Sequence, residues 1–122
     1  MKVILCGFGR AGQEILLQLL LNGTCGIKDI LVFTHQHDEN EGFLSLLRNL
    51  NLPYSLESIN RCLAMVEAFR PDYLISAYYR TIIHDRILEQ VDYKAINLHP
   101  SLLPAYRGCF SGVWAILNGE KE

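Results

Sequence analysis

Lys2-Val3-Ile4-Leu5-Cys6-Gly7-Phe8-Gly9-Arg10-Ala11-Gly12, followed by the apolar run Ile15-Leu16-Leu17-Gln18-Leu19-Leu20-Leu21, opens this chain of 122 residues. Lys2 to Cys6 reads as a short apolar strand, the glycine-rich turn interrupts it, and the spacing predicts a helix from about Gln13 to Leu21. That helix is apolar on nearly every side, which predicts burial all round, and Asn22-Gly23 suits a left-handed cap at its end. A second strand, Asp29 to Thr34, carries Ile30-Leu31-Val32-Phe33 without a polar break. A continuous apolar run of this length belongs to a parallel strand covered on both faces.

The rest of the chain repeats the alternation. After a polar loop from His35 to Glu41, a helix from Gly42 to Asn51 carries the stripe Phe43, Leu44, Leu46, Leu47 and Leu50. Leu52 to Ser55 reads as a brief edge strand, and Ser58 is a candidate cap for a helix running to about Phe69. Pro71-Asp72 resets the chain, Tyr73 to Ala77 forms the next strand, and His84 to Gln90 a short helix. Lys94 to His99 is the last strand, ended by Pro100, which has no ladder N–H. Phe110 to Leu117 is read as a final helix. Short connections and right-handed crossovers then give a Rossmann-like α/β fold, one parallel sheet with helices on both faces, in a single domain over 1–122. Ligands of such sheets sit outside the carboxyl ends of the strands. Thr34 to Asp38, Tyr78 to Ile83, and Asn97 with His99 all lie at such ends, so three segments are expected to converge on one crevice.

Composition narrows the function classes. The chain is 50% hydrophobic with a net charge of -2, and no cluster of Lys or Arg gives it a footprint for nucleic acid. No apolar run reaches the length of a membrane span, and the opening lacks an export signal, so the expected location is cytoplasmic. Cys6, Cys25, Cys62 and Cys109 form no C-x-x-C pair, and Cys6 and Cys62, among apolar neighbours, are expected to be buried, reduced thiols. His35-x-His37-Asp38 lacks a third ligand at a recognisable spacing and is read as a loop at the site rim rather than a metal site. Gly7-x-Gly9-x-x-Gly12 is the dinucleotide fingerprint, which makes an NAD-binding half-domain the runner-up reading. That fingerprint needs an acid at the end of the second strand, where this chain has Phe33-Thr34-His35. The glycines are therefore expected to serve a tight turn and close helix packing.

Asn97 and His99, two apart on a strand, share one face while Ile96 and Leu98 take the other. An imidazole titrating near neutrality can accept the proton of an attacking amine, and a carboxamide can donate to an oxygen that becomes negative in a tetrahedral intermediate. The pair suits acyl transfer. The alternative is a core histidine at a strand end, followed by a Pro-rich connection.

Asn97-Leu98-His99-Pro100-Ser101-Leu102-Leu103-Pro104-Ala105-Tyr106-Arg107-Gly108 resembles the signature of the enzymes that transfer a formyl group from 10-formyltetrahydrofolate to an amine. Ser76 to Ile83, Phe33-Thr34-His35 with Glu39-Asn40-Glu41, and Trp114 to Glu120 are similar in particular to the sugar N-formyltransferases, among them the domain that formylates UDP-4-amino-arabinose. The resemblance implies that Asn97 and His99 are catalytic and that the backbone of Thr81, Ile82 and Ile83 hydrogen-bonds the pterin edge of the donor. It implies a nucleotide-linked amino sugar as acceptor. Methionyl-tRNA formyltransferase and a non-catalytic folate- or NAD-binding module are the alternatives.

Two departures from the family pattern follow. The family's catalytic Asp lies further along than Glu122, so the chain is expected to be an incomplete catalytic domain, nearly inactive alone, whose exposed sheet edge would permit a homodimer. Cys109 stands where the aminoarabinose enzyme has Arg, which points to a different sugar, such as a dTDP-linked one.

Overall fold

The computed structural model describes residues 1–98. Its strands are β1 (Val3–Gly7), β2 (Ile30–Phe33), β3 (Tyr54–Ser55), β4 (Tyr73–Ala77) and β5 (Ala95–Leu98), and its helices are α1 (Gly9–Leu21), α2 (Glu41–Asn49), α3 (Leu63–Phe69) and α4 (Asp85–Leu88). They form one sheet in the order β3-β2-β1-β4-β5, and every pairing is parallel. The chain first builds outward from β1 through β2 to β3, then returns to β1 and builds the other way through β4 to β5. The strand order thus reverses between β1 and β4, and the chains leaving these two strands part over their carboxyl ends.

Alternation along the strands separates two cores. Val3, Leu5, Ile30 and Val32 face α1 and α2 and pack on Leu16, Leu19, Phe43 and Leu47. Ile4, Cys6, Leu31, Phe33 and Leu74 face the other way and pack on Ile59, Val66 and Ile87. Every residue of β1 and β2 is buried, as a central parallel pair requires.

Element bounds depart from the sequence reading in instructive places. α1 begins at Gly9, about a turn before the expected start, because Gly9 takes a positive φ of 65° and sends the chain from strand into helix with no intervening loop. Gly12 then lies inside the helix despite its poor propensity, since a side chain there would collide with Phe43: an added Cβ would sit 2.9 Å from the ring. α1 is also not buried all round. It rests on one sheet face through Gly12, Leu16 and Leu19, while Leu17 and Leu21 are 40% and 79% exposed. Its end matches the expected cap: Gly23 has a φ of 71°, its N–H bonds the Leu20 carbonyl, and the Thr24 N–H bonds that of Leu19.

Ser58 caps a 3-10 turn, Ile59–Arg61, rather than a long helix, and α3 starts only at Leu63. The helix expected from His84 to Gln90 is α4 followed by a 3-10 turn, Glu89–Val91, which Asp92 and Tyr93 end in left-handed conformations. The edge strand shrinks to Tyr54–Ser55. The expected helix Phe110 to Leu117 lies outside the described residues.

Gly12→Ala should lower stability by about 1–3 kcal/mol, because the ring of Phe43 has no room to yield against a buried sheet. Thermal unfolding checks this, and Phe43→Leu in the same chain should recover part of the loss. Additive losses in the double variant would show that the two positions do not meet.

Candidate active site

The crevice begins where β1 ends. Asn40, fully buried, accepts the Gly9 N–H on Oδ1 at 2.7 Å and donates from Nδ2 to Thr34 Oγ1 at 2.8 Å and to the His35 carbonyl. The Thr34 hydroxyl in turn donates to the Gly7 carbonyl at 2.6 Å. These bonds tie the turn after β1 to the end of β2 and aim Phe8 across the top of the sheet. On the far side of β1 the Phe8 N–H bonds the Ala77 carbonyl at 3.0 Å, and Tyr78, with a φ of 63°, turns the chain out of β4.

The segment after Tyr78 borders a crevice of about 740 Å³ that runs along β4 and β5, from Leu74 and Ala95 to the chain leaving their carboxyl ends, with Phe8 from the turn after β1 at its rim. Its floor is the sheet face bearing Ser76 and Asn97, which lie side by side in register on β4 and β5. Ile83 and Leu88 line it with apolar side chains, and Phe8 and Arg80 border it as well. The Arg80 guanidinium lies 4.2 Å from the Phe8 ring centroid and reaches Glu39 at 3.5 Å. It is held against the protein rather than solvated freely, as a cation over an aromatic face.

Two anchors hold the segment after Tyr78. On one side the Tyr79 ring stacks on His35, with centroids 4.5 Å apart and planes at 22°, and the Arg80 N–H donates to His35 Nε2 at 3.0 Å. On the other, the Tyr79 hydroxyl accepts the Ile59 N–H at 3.1 Å. Burial pushes the Tyr79 phenol up to about 12, so it stays protonated. Burial, and then the Arg80 charge, push the His35 pKa below its ordinary value. Its Nε2 must be unprotonated to accept the Arg80 N–H, so the neutral ring carries its proton on Nδ1.

Of the residues singled out from sequence, the structure gathers four into this crevice. Asn97 is half-buried on its floor, and Thr81, Ile82 and Ile83 line its edge. His99 lies outside the described residues, as do Cys109 and the Pro-rich loop. The Thr34 to Asp38 segment serves the crevice indirectly: Thr34 is an internal brace, His35 an anchor, and the lining residue from this region is Glu39. His37 Nδ1 accepts the Glu39 N–H at 3.0 Å, so both loop histidines spend a nitrogen on the backbone. Among the described residues, no group of three or more His, Cys, Asp or Glu side chains is placed to hold a metal ion. The glycine turn behaves as expected, with Gly7 and Gly12 against Phe43 and the Gly9 N–H already taken by Asn40. That N–H sits where a dinucleotide fold offers its helix N-terminus to pyrophosphate. Cys6, Cys62 and also Cys25 are buried free thiols, and burial raises the pKa of each. Among the described residues, no helix is long and apolar enough to cross a membrane.

The roles of Asn40 and Phe8 are not foreseen from sequence: Glu39-Asn40-Glu41 enters only through the family resemblance, with no role given to Asn40, and Phe8 only as part of a glycine turn. The legible signal was an Asn placed seven residues after a parallel strand's end, facing a turn with an N–H to satisfy.

The family model described as formyl transferase matches residues 1–122, the whole chain. The chain belongs to the formyl transferase family. It is 38% identical over 124 aligned residues to GDP-perosamine N-formyltransferase of Brucella melitensis biotype 1, covering 99% of this chain and 48% of that protein. It is 33% identical over 133 residues to the bifunctional polymyxin resistance protein ArnA of Wigglesworthia glossinidia brevipalpis, covering 99% of this chain and 19% of that one. The chain thus spans about half the length, or less, of these curated relatives. Among solved structures it matches phosphoribosylglycinamide formyltransferase from Bacillus halodurans with a TM-score of 0.60 at 19% identity, over 98% of this chain and 67% of that one. Glycinamide ribonucleotide transformylase 1 from Symbiobacterium toebii gives 0.59 at 19%, over 99% and 62%. At such identity these two matches bear on the fold, which they share with this formyl transferase chain.

Because His35 binds fewer protons folded than unfolded, its contribution to stability is full above its unfolded pKa, near 6.5, and is lost as the pH falls through the lower folded value. The thermal midpoint should therefore drop between pH 7 and pH 5. His35→Phe, which keeps an aromatic ring against Tyr79 but cannot titrate, should flatten that drop; an unchanged slope would assign it to other groups.

Proposed function

We propose that this chain supplies the formyl-donor side of an enzyme that transfers the formyl group of 10-formyltetrahydrofolate to the amine of a nucleotide-linked amino sugar in the cytoplasm. The likeness to GDP-perosamine N-formyltransferase, 38% over 99% of this chain, carries the sugar acceptor. The observation that carries the chemistry is the placement of Asn97 on the floor of a largely apolar crevice, beside Ser76. A flat, partly apolar donor fits such a space: Ile83 and Leu88 offer area to bury, and the backbone of Thr81 to Ile83 runs along one edge.

The reaction divides among few groups. The sugar amine attacks the formyl carbon and a C–N bond forms. The amine gives up a proton to His99, and the formyl oxygen becomes an oxyanion. Asn97 donates its carboxamide N–H to that oxygen, a bond stronger in the intermediate than in the ground state. Collapse breaks the bond to N10 of the donor, which leaves as tetrahydrofolate with a proton returned from His99.

Asn97→Ala in the whole enzyme should lower kcat by about 10²- to 10³-fold, the usual cost of one oxyanion donor. The KM for the donor should change far less. Steady-state kinetics with the donor varied at saturating amine distinguishes the cases: equal losses in kcat and donor binding would refute the oxyanion role.

A further inference from the structure

The bonds to one outlying side chain determine which way the edge of the crevice faces. Asn60 lies in the 3-10 turn Ile59–Arg61, remote in sequence from β4 and β5, and both of its side-chain hydrogen bonds go to the segment after Tyr78. Nδ2 donates to the Ile82 carbonyl at 2.8 Å, and Oδ1 accepts the His84 N–H at 2.8 Å. A carboxamide that takes the C=O of one residue and the N–H of the residue two further on occupies the position of a neighbouring strand in a ladder.

The direction of the intervening groups follows from peptide geometry. The described peptide bonds are all trans, and in a trans peptide the C=O and the next N–H point in opposite directions. With the Ile82 C=O on Asn60, the Ile83 N–H is turned away from it. With the His84 N–H on Asn60, the Ile83 C=O is turned away too. Ile83 therefore presents an adjacent donor and acceptor on one side, and among the described residues neither has a partner. The two sides are different places. Ile82 and Ile83 line the crevice, whereas Asn60 and His84 line a separate small depression next to Arg61 and Arg86.

Asn60 is itself fixed. Its own N–H donates to Ser58 Oγ at 3.2 Å, and the preceding N–H, that of Ile59, holds the Tyr79 hydroxyl. The segment from Tyr79 to His84 is thus fastened to this turn at both ends.

We propose that Asn60 is a positioning residue of the crevice: its carboxamide orients the Ile82–His84 segment so that Ile83 offers its N–H and C=O as a pair to the edge of a flat heterocycle bearing a complementary acceptor and donor. This rests on the reading that the crevice takes the folate donor. Asn60 touches neither reactant, and its effect is on which edge can be read and how tightly.

The test combines calorimetric titration with 5-formyltetrahydrofolate, an unreactive isomer of the donor, and amide hydrogen exchange. The full chain is compared with Asn60→Ala and Asn60→Asp. Asn60→Asp keeps the acceptor for the His84 N–H but sets a carboxylate oxygen against the Ile82 carbonyl. In the wild type the compound should bind and slow exchange at the Ile83 amide. Asn60→Ala should weaken binding about tenfold or more and abolish that protection, with exchange in β4 unchanged, and Asn60→Asp should be at least as weak. Equal affinity in all three chains, or exchange quickened throughout β4 as well, would overturn the positioning role and leave the donor reading standing. No binding to the wild type would remove the donor reading, and this inference with it.

Discussion

The buried carboxamide of Asn40 is the joint on which the working end of the molecule depends. A parallel sheet brings the ends of β1 and β2 together, but the ladder stops there and leaves backbone groups of the following turn without partners. Asn40 takes up the Gly9 N–H, and through Thr34 it also secures the Gly7 carbonyl. Because it bonds the His35 carbonyl as well, the same residue settles where the His35 ring stands. From His35 the constraint passes to Tyr79 and the Arg80 N–H, and so to the border of the crevice. A polar side chain so deep in a structure is costly unless satisfied, and here each of its bonds locates a different part of the site.

The crevice is a consequence of topology before it is one of side chains. The sheet grows in opposite directions from β1, so the segments leaving β1 and β4 separate over the strand ends, and among the described residues no helix fills the gap. Asn97 reaches this gap because its position on β5 shares a sheet face with Ser76 and Leu74, and a shift of one residue in register would replace it with Ile96 or Leu98. The left-handed turn at Tyr78 keeps the following segment from continuing the ladder, which leaves its backbone groups for other partners.

Much of this was legible in the sequence, and the reasons are physical. Continuous apolar runs such as Ile30 to Phe33 have one sensible place in an α/β protein, and the start of β4 followed from Pro71-Asp72, which resets the chain before it. The pairing of Asn97 with the strand-end crevice followed from period-two geometry. What was not legible were features decided by tertiary packing. The need for a glycine at position 12 comes from Phe43, more than thirty residues away. Local propensity gives no hint that α1 leaves Leu17 and Leu21 in solvent, since that depends on which sheet face it covers. The Asn40 bond to the Gly9 N–H spans 31 residues and the Asn60 bonds span 22 and 24, distances over which side-chain pairing leaves no periodic trace. Local rules therefore located the strand ends, and long-range polar contacts decided what was built on them.

The two-residue strand β3 bears on how such a molecule survives at high concentration. An open parallel sheet terminates in a row of unpaired backbone groups that invites another chain to add on. Here that border is Tyr54–Ser55 alone, preceded by Pro53, which has no N–H to offer, and both residues are half-buried. Ser55 is followed by Leu56 and Glu57, where the Glu57 N–H turns back to the Ser55 hydroxyl. A foreign strand would find room for barely one repeat of the ladder. Among the described residues this flank of the sheet is thus protected from polymerising growth by brevity rather than by a covering layer.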